Sequence, residues 1–225
     1  ELSEKVKYLP FDGGVFSAGA CVMFHNRIIM QKYASNEQKK LFFEAVDKYN
    51  LLCFSQGPEA TYTTEEAVDF YNFLTRSIYS GTTDLEGFRL VSRFPDDVPL
   101  IKSYIMSKEG RVLEARRALE GPFHCVNNTT GLPEINAAEV MVAGISKGFG
   151  MEWLINFLGE GLETSVGIGD GENDLEMIEK CRLGIAMGNS DRALKVRADF
   201  VTTDIGDDGL SNAIEYALNV LGSQA

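Results

Sequence analysis

The stretch Thr164-Ser165-Val166-Gly167-Ile168-Gly169 is a short apolar run, and it opens directly into Asp170-Gly171-Glu172-Asn173-Asp174. Four carboxylate or amide side chains thus fall within five positions, just past the end of a predicted strand. Downstream the texture repeats. Leu175 to Cys181 has helical spacing, Leu183 to Met187 is a second apolar run, and Asp191 to Arg197 is again helical. Phe200 to Thr203 is a third run, and Leu210 to Leu221 closes with apolar residues at helical spacing. Upstream, Lys147 to Leu158 carries Phe149, Trp153, Leu154 and Phe157 as a helical stripe. Short apolar strands alternating with helices predict βαβ units and a parallel sheet buried on both faces. Ligands of such sheets bind at the carboxyl ends of the strands, where the acidic loop lies.

Carboxylates gathered at that edge have two usual fates, holding a divalent cation or capping a helix. A cap needs one Asp or Asn, and the density here exceeds that. Gly167, Gly169 and Gly171 give G-x-G-x-G and not the dinucleotide-binding G-x-G-x-x-G, and no G-x-x-x-x-G-K-[ST] loop occurs. Asp204 to Glu215 approaches a calcium loop, but Gly206 stands where an acid is required. His25 and His124 lack partners at metal-ligand spacing. Lys147 opens the helix before the acidic strand, where its charge opposes the macrodipole. Beside an anionic ligand the same ammonium would neutralise phosphate charge.

On the amino-terminal side, Gly14 to Val22 reads as another short buried strand, and His25-Asn26-Arg27 as a hairpin turn. Between about Asn36 and Pro133, helical stretches (Glu37 to Tyr49, Thr64 to Arg76, Arg111 to Leu119) alternate with strand-like pieces (Leu51 to Ser55, Leu100 to Ser107, His124 to Asn127). Phe42, Phe43, Phe54, Tyr62, Phe70, Tyr71 and Phe73 crowd this region. The pattern predicts a mixed α+β insert with its own core. The expected organisation is therefore 1–21 core, 22–136 insert and 137–225 core.

The 225 residues carry 21 basic and 33 acidic side chains, a net charge of −12, which argues against nucleic acid or an anionic membrane as the partner. No apolar stretch approaches the length of a membrane span. Cys21, Cys53, Cys125 and Cys181 are far apart and form no C-x-x-C pair, as expected of reduced thiols in a cytoplasmic protein.

Gly144-Ile145-Ser146-Lys147-Gly148, followed by Gly169-Asp170-Gly171-Glu172-Asn173-Asp174-Leu175-Glu176-Met177, resembles the late motifs of the haloacid dehalogenase superfamily. The resemblance is closest to its Cof-type phosphatases with a large α/β cap. Gly184-Ile185-Ala186-Met187-Gly188-Asn189, Ala198-Asp199 and Asp208-Gly209 follow in the family's order, and Ser17-Ala18-Gly19-Ala20 resembles its S-N-G-A strand. The resemblance implies a Rossmann-like parallel-sheet core with an inserted α+β cap that selects the leaving group. It also implies a Mg²⁺-dependent phosphatase of small phosphorylated metabolites, sugar phosphates or similar, acting through an aspartyl-phosphate. A monomer or small homo-oligomer is expected. Asp170 would be a metal ligand and catalytic. Lys147 would stabilise the phosphoryl oxygens, and Asn173 and Ser17 would contact phosphate. Asp174 would be a second metal ligand or would orient Lys147.

The family's opening D-x-D-G-T strand, source of the nucleophile and the general acid, does not occur. Phe11-Asp12-Gly13-Gly14 is a poor echo. Ala18 also replaces the family's Asn. The sequence is therefore expected to begin after the first two βα units and to be inactive by itself. The competing expectations are a phosphomutase-type transferase and a nucleophile-free, ligand-binding relative.

Overall fold

The computed structural model describes residues 11–76, 86–127, 132–133 and 136–222. They divide into two units, one formed by Gln31–Gly144 and the other by Gly13–Met30 with Ile145–Ala225. Residues 1–10 of the expected first core segment lie outside the described residues.

In the second unit, β1 (Gly13–Phe16), β2 (Cys21–Phe24) and β3 (Arg27–Gln31, within this unit through Met30) form one three-stranded sheet. His25 and Asn26 take φ of 46° and 60°, the left-handed pair that a two-residue hairpin turn requires, as expected from the sequence. The single strand expected over 14–22 does not form. β1 and β2 pair antiparallel, Phe16 opposite Cys21, across a turn at Ser17–Gly19. Positive φ at Ser17, Ala18 and Gly19 (52°, 55° and 103°) reverses the chain where the apolar composition reads as extended.

The second sheet of this unit has the order β10 (Val166–Gly169), β11 (Leu183–Ala186), β12 (Phe200–Val201), all parallel. Side chains alternate across a strand. Val166, Ile168, Leu183 and Ile185 therefore share one face, and they pack with Ala213 and Ala217 of α7 (Gly209–Gly222). Gly167, Gly169, Gly184 and Ala186 share the other. Their small size lets α5 (Leu175–Lys180) approach closely: a Cβ on Gly184 would lie 2.5 Å from the Ile178 carbonyl oxygen. α6 (Arg192–Arg197) brings Leu194 to the same face, against Ile178 and Ala186. The V-G-I-G and L-G-I-A strands are thus read in two registers, large side chains under one helix and glycine or alanine under two. Asp199 of the Ala-Asp pair caps the sheet by accepting from the Gly184 N–H at 2.8 Å. Among the described residues β10 is an edge strand.

The first unit is built on a six-stranded sheet ordered β6 (Phe88–Leu90), β5 (Thr61–Thr63), β4 (Leu52–Gln56), β7 (Lys102–Met106), β9 (Ala137–Val142), β8 (Phe123–Asn127). α1 (Asn36–Lys48) and α3 (Val112–Leu119) cover one face through Phe42, Ala45, Val112, Ala115 and Leu119, which meet Ile105, Phe123, Ala138 and Val140. α2 (Glu65–Thr75) covers part of the other face. Ser35 starts α1 with a capping box, accepting from the Gln38 N–H while Gln38 Oε1 accepts from its own. The three helices and three strands expected between residues 36 and 133 form within a residue or two of their expected limits.

Both expected boundaries fall elsewhere: residues 22–30, expected in the insert, lie in the second unit, where they complete the β1–β3 sheet. Ala137–Val142, assigned from sequence to the start of the core, is an inner strand of this sheet, paired antiparallel with both β7 and β8. The division therefore lies at Gly144/Ile145 rather than at 136/137. The apolar composition of this strand fits either sheet, and its pairing with β7 and β8 decides which it joins.

Candidate active site

Three segments of the second unit converge on the carboxyl end of β10. The first is α4 (Lys147–Phe157), whose first residue is the candidate lysine. Ser146 fixes that start: its backbone is extended and its Oγ accepts from the Phe149 N–H at 2.9 Å. Two glycines let α4 sink between its neighbours. A Cβ on Gly148 would meet the Glu176 backbone at about 3.0 Å, and one on Gly150 would meet Val15 at 2.4 Å.

The Ser17–Gly19 turn is the second segment. Gly19 abuts the start of α4 so tightly that a Cβ there would fall 1.8 Å from the Ser146 carbonyl oxygen. Glycine is required twice over, since its φ is also left-handed. Ser17, expected near phosphate, thus belongs to the turn packed against the residue preceding Lys147.

The third segment is the acidic loop. Glu172–Asp174 form a single 3₁₀ turn leading into α5, and Asp174 folds back over the end of β10. Gly169 makes room for it, because a Cβ at that position would lie 2.4 Å from the Asp174 Cβ. The Asp174 carboxylate spends both oxygens. Oδ2 accepts from the Asp170 and Gly171 N–H groups at 3.1 Å each, and Oδ1 accepts from Lys147 Nζ at 2.6 Å. Its side chain is 5% exposed, against 35% for Lys147. Of the two roles expected for Asp174, the geometry displays the orienting one. Asp170 is exposed, and neither its carboxylate nor the Asn173 amide has a hydrogen-bond partner among the described residues.

A second lysine braces the arrangement from outside. Lys180 Nζ lies 2.8 Å from both Glu152 of α4 and Glu176 of α5. Hydrogen bonds to Glu152 and then Glu176 raise its pKa, so the ammonium stays charged and ties the two helices.

A cavity of about 280 Å³ opens at this edge, lined by Lys147, Gly169, Asp170, Asp174 and Asn189 on its polar side. Ile168, Met187, Ile205 and Leu210 supply an apolar wall. The loop after β11 holds its place through Met187 N–H to the Gly169 carbonyl at 2.9 Å and Ile205 N–H to Asn189 Oδ1 at 3.2 Å. Sequence reasoning passed over this wall. Its only trace was the Gly184-to-Asn189 punctuation, which carries no chemistry of its own.

No trio of His, Cys, Asp or Glu able to hold an ion stands together among the described residues. Mg²⁺ is commonly held by one or two carboxylates, with water and substrate phosphate completing the shell. One exposed, uncommitted carboxylate at a strand end fits that habit, and Asp170 supplies it.

Comparison with known proteins follows the same lines. A family model described as haloacid dehalogenase-like hydrolase matches residues 2–214. The chain is 28% identical over 160 residues to the 5-amino-6-(5-phospho-D-ribitylamino)uracil phosphatase YitU of Bacillus subtilis, covering 68% of this chain and 54% of that protein. It is 40% identical over 80 residues to a phosphoglycolate phosphatase of Methanosarcina acetivorans, 36% of this chain and 35% of that one. It thus spans about half the length of the first relative and a third of the second. In fold it is similar to a haloacid dehalogenase-like hydrolase from Bacteroides thetaiotaomicron (TM-score 0.69, 23% identity, 89% of this chain and 74% of that one). It is also similar to the subclass IIB sugar phosphatase BT4131 (TM-score 0.73, 21% identity, 98% and 80%). At these identities the likeness speaks for the fold, a Rossmann-like core with an α+β cap. Among the described residues no helix is long and apolar enough to cross a membrane.

Proposed function

This chain belongs to the haloacid dehalogenase-like hydrolases, and we propose that it carries the lysine and metal-binding side of a Mg²⁺-dependent phosphatase acting on small phosphorylated metabolites. The observation that carries this reading is the Asp174 carboxylate, which holds Lys147 at 2.6 Å and the Asp170 backbone at 3.1 Å in one buried grip.

The electrostatics argue for a cation. Asp174 balances the charge of Lys147, and the exposed Asp170 carboxylate adds a further negative charge to the loop. A phosphate dianion near one such carboxylate is repelled by about 1 kcal/mol per charge pair in water, and by about 4 at an effective dielectric of 20. When bound, Mg²⁺ supplies the positive charge that lets a carboxylate nucleophile approach phosphate. Asp170 would be its carboxylate ligand from this chain. Lys147, fixed by Asp174 rather than free to swing, presents its ammonium to the phosphoryl oxygens where charge develops. Asn173 offers its amide to the same oxygens, and Ser17 is a further candidate from the turn beside α4. The edge of β10 is where a strand bearing the aspartate nucleophile would pair, and the reaction would pass through an aspartyl-phosphate.

The names of YitU and of the phosphoglycolate enzyme support a phosphate monoester as substrate. The four described cysteines are all free thiols, in keeping with a reducing cytoplasm. The test is hydrolysis of p-nitrophenyl phosphate by the purified full-length protein, with Mg²⁺ and then with EDTA. Turnover that stops on chelation is expected, and turnover indifferent to EDTA would contradict the metal-dependent reading.

A further inference from the structure

A groove of about 590 Å³ runs between α1 and residues 93–96, wholly within the first unit. Helical spacing places Lys39, Lys40, Phe43, Glu44 and Asp47 along the wall that α1 supplies. Arg93, Phe94 and Asp96 stand on the wall opposite. The two walls are tied directly to each other. Phe43 stacks on the buried Phe94 with ring centroids 5.0 Å apart. Lys39 Nζ spans the gap and donates to the backbone carbonyls of Asp96 and Val98. The capping box at Ser35 fixes the start of the same helix. The groove is therefore a preformed surface that need not be ordered on binding.

Along this wall of α1 the cations come first and the carboxylates last, and the helix gains little from that order. Lys40 Nζ lies 3.8 Å from Glu44 Oε1, beyond hydrogen-bond reach, and both side chains are largely exposed. A base preceding its acid by four residues is also the weaker of the two orders. Among the described residues Asp47 forms no ion pair, and Lys39 Nζ bonds backbone carbonyls alone. Arg93 and Asp96 pair at 3.3 Å on the opposite rim, where both are almost wholly exposed. An anionic ligand in the groove would meet Glu44 and Asp47, and a cationic one would meet Lys39 and Lys40. The surface that fits carries the reverse order of charges at the same spacing, which sets Glu44 about 6 Å and Asp47 about 10 Å beyond Lys40 along the axis. The helix α1, turned end to end, carries that order.

We propose that this groove is the interface of a homodimer, in which α1 of one copy packs antiparallel to α1 of a second about a two-fold axis near Phe43. Lys40 of each copy then faces Glu44 and Asp47 of the other. A two-fold interface makes every such contact twice, because the same patch serves on both sides. The half-buried Phe43 of each copy lies near the axis, giving an apolar centre with charges around it. Antiparallel packing also sets the positive end of each helix beside the negative end of the other. Exposed ion pairs contribute little apiece, so the dimer is a weak one with a dissociation constant in the micromolar range, and its charges set register and partner more than affinity.

The experiment is sedimentation velocity of the full-length protein from about 1 to 200 μM, a range that brackets a weak interface of this kind. Wild type is expected to pass from monomer to dimer as concentration rises. Lys40→Glu and Glu44→Lys each set like charges across the axis twice over, and each should weaken self-association about tenfold or more. An equimolar mixture of the two variants restores opposite charges across the axis and should dimerise with nearly wild-type affinity. That recovery separates a contact between copies from one within α1, since mixing cannot repair a pair inside a single chain. A wild type that stays monomeric throughout the range would overturn the proposal and leave the groove to a different occupant. A dimer that neither variant weakens would place the interface on another face and overturn it equally. So would a mixture that associates no better than its two components.

Discussion

Replacing Asp174 by Asn keeps the shape of the side chain and removes its charge. The amide oxygen can still accept from the Asp170 and Gly171 N–H groups, but the amide nitrogen then faces the Lys147 ammonium, donor against donor. The bond lost is 2.6 Å long, with its acceptor side chain 5% exposed. A hydrogen bond to a charged group is worth about 1.5–3 kcal/mol. The Lys147 side chain is 35% exposed, and solvent screening trims the figure to about 1–2 kcal/mol. A double-mutant cycle isolates it: wild type, Asp174→Asn, Lys147→Met and the pair, each unfolded in urea. Trp153, the single tryptophan of the sequence, lies on α4 and reports on the helix that carries Lys147. The expected coupling is about 1–2 kcal/mol. Coupling below about 0.3 kcal/mol, the scatter of independent sites, would show that Asp174 does not hold the lysine.

Two further outcomes follow from local structure. Ala18 sits at φ 55°, a left-handed conformation that costs a side chain without a local hydrogen bond about 1–2 kcal/mol; Ala18→Asn should therefore add about 1 kcal/mol of stability and raise the urea midpoint accordingly, and a lower midpoint would contradict the strain. Burial pushes the Cys125 thiol up to about 11, with Arg116 opposing more weakly. The folded state holds this proton more tightly than the unfolded chain, so the stability it confers is complete below about pH 9 and declines as pH rises toward 11. Alkylation of Cys125 by iodoacetamide should accelerate across that same window, and a rate already level at pH 9 would refute the assignment.

What could be read in the sequence was what local chemistry decides. V-G-I-G and L-G-I-A announce parallel strands because each is a short apolar run followed by a helical segment, the βαβ pattern, and His25-Asn26 announces its turn through residues that tolerate positive φ. The Ser17–Gly19 reversal escaped because Ser and Ala seldom adopt left-handed backbone, so the run reads as extended. Ala137–Val142 was placed with the core because its apolar composition fits either sheet, and only its pairing with β7 and β8 puts it in the first unit. In the site, the spacing of Lys147 and Asp170 was visible. The commitment of both Asp174 oxygens was not, since it depends on Gly169 letting that side chain fold back. The apolar wall of Ile205 and Leu210 likewise comes from loop closure and leaves no motif.

The most direct test of the account is the Mg²⁺-dependent hydrolysis of p-nitrophenyl phosphate by the full-length protein and by its Asp170→Asn variant. Asp170 is exposed and its side chain bonds nothing else among the described residues, so the exchange should leave the fold intact. A fall in kcat of about 100-fold or more is expected if this carboxylate anchors the cation that steadies the transferring phosphoryl group. Undiminished turnover by Asp170→Asn would contradict the account at its centre.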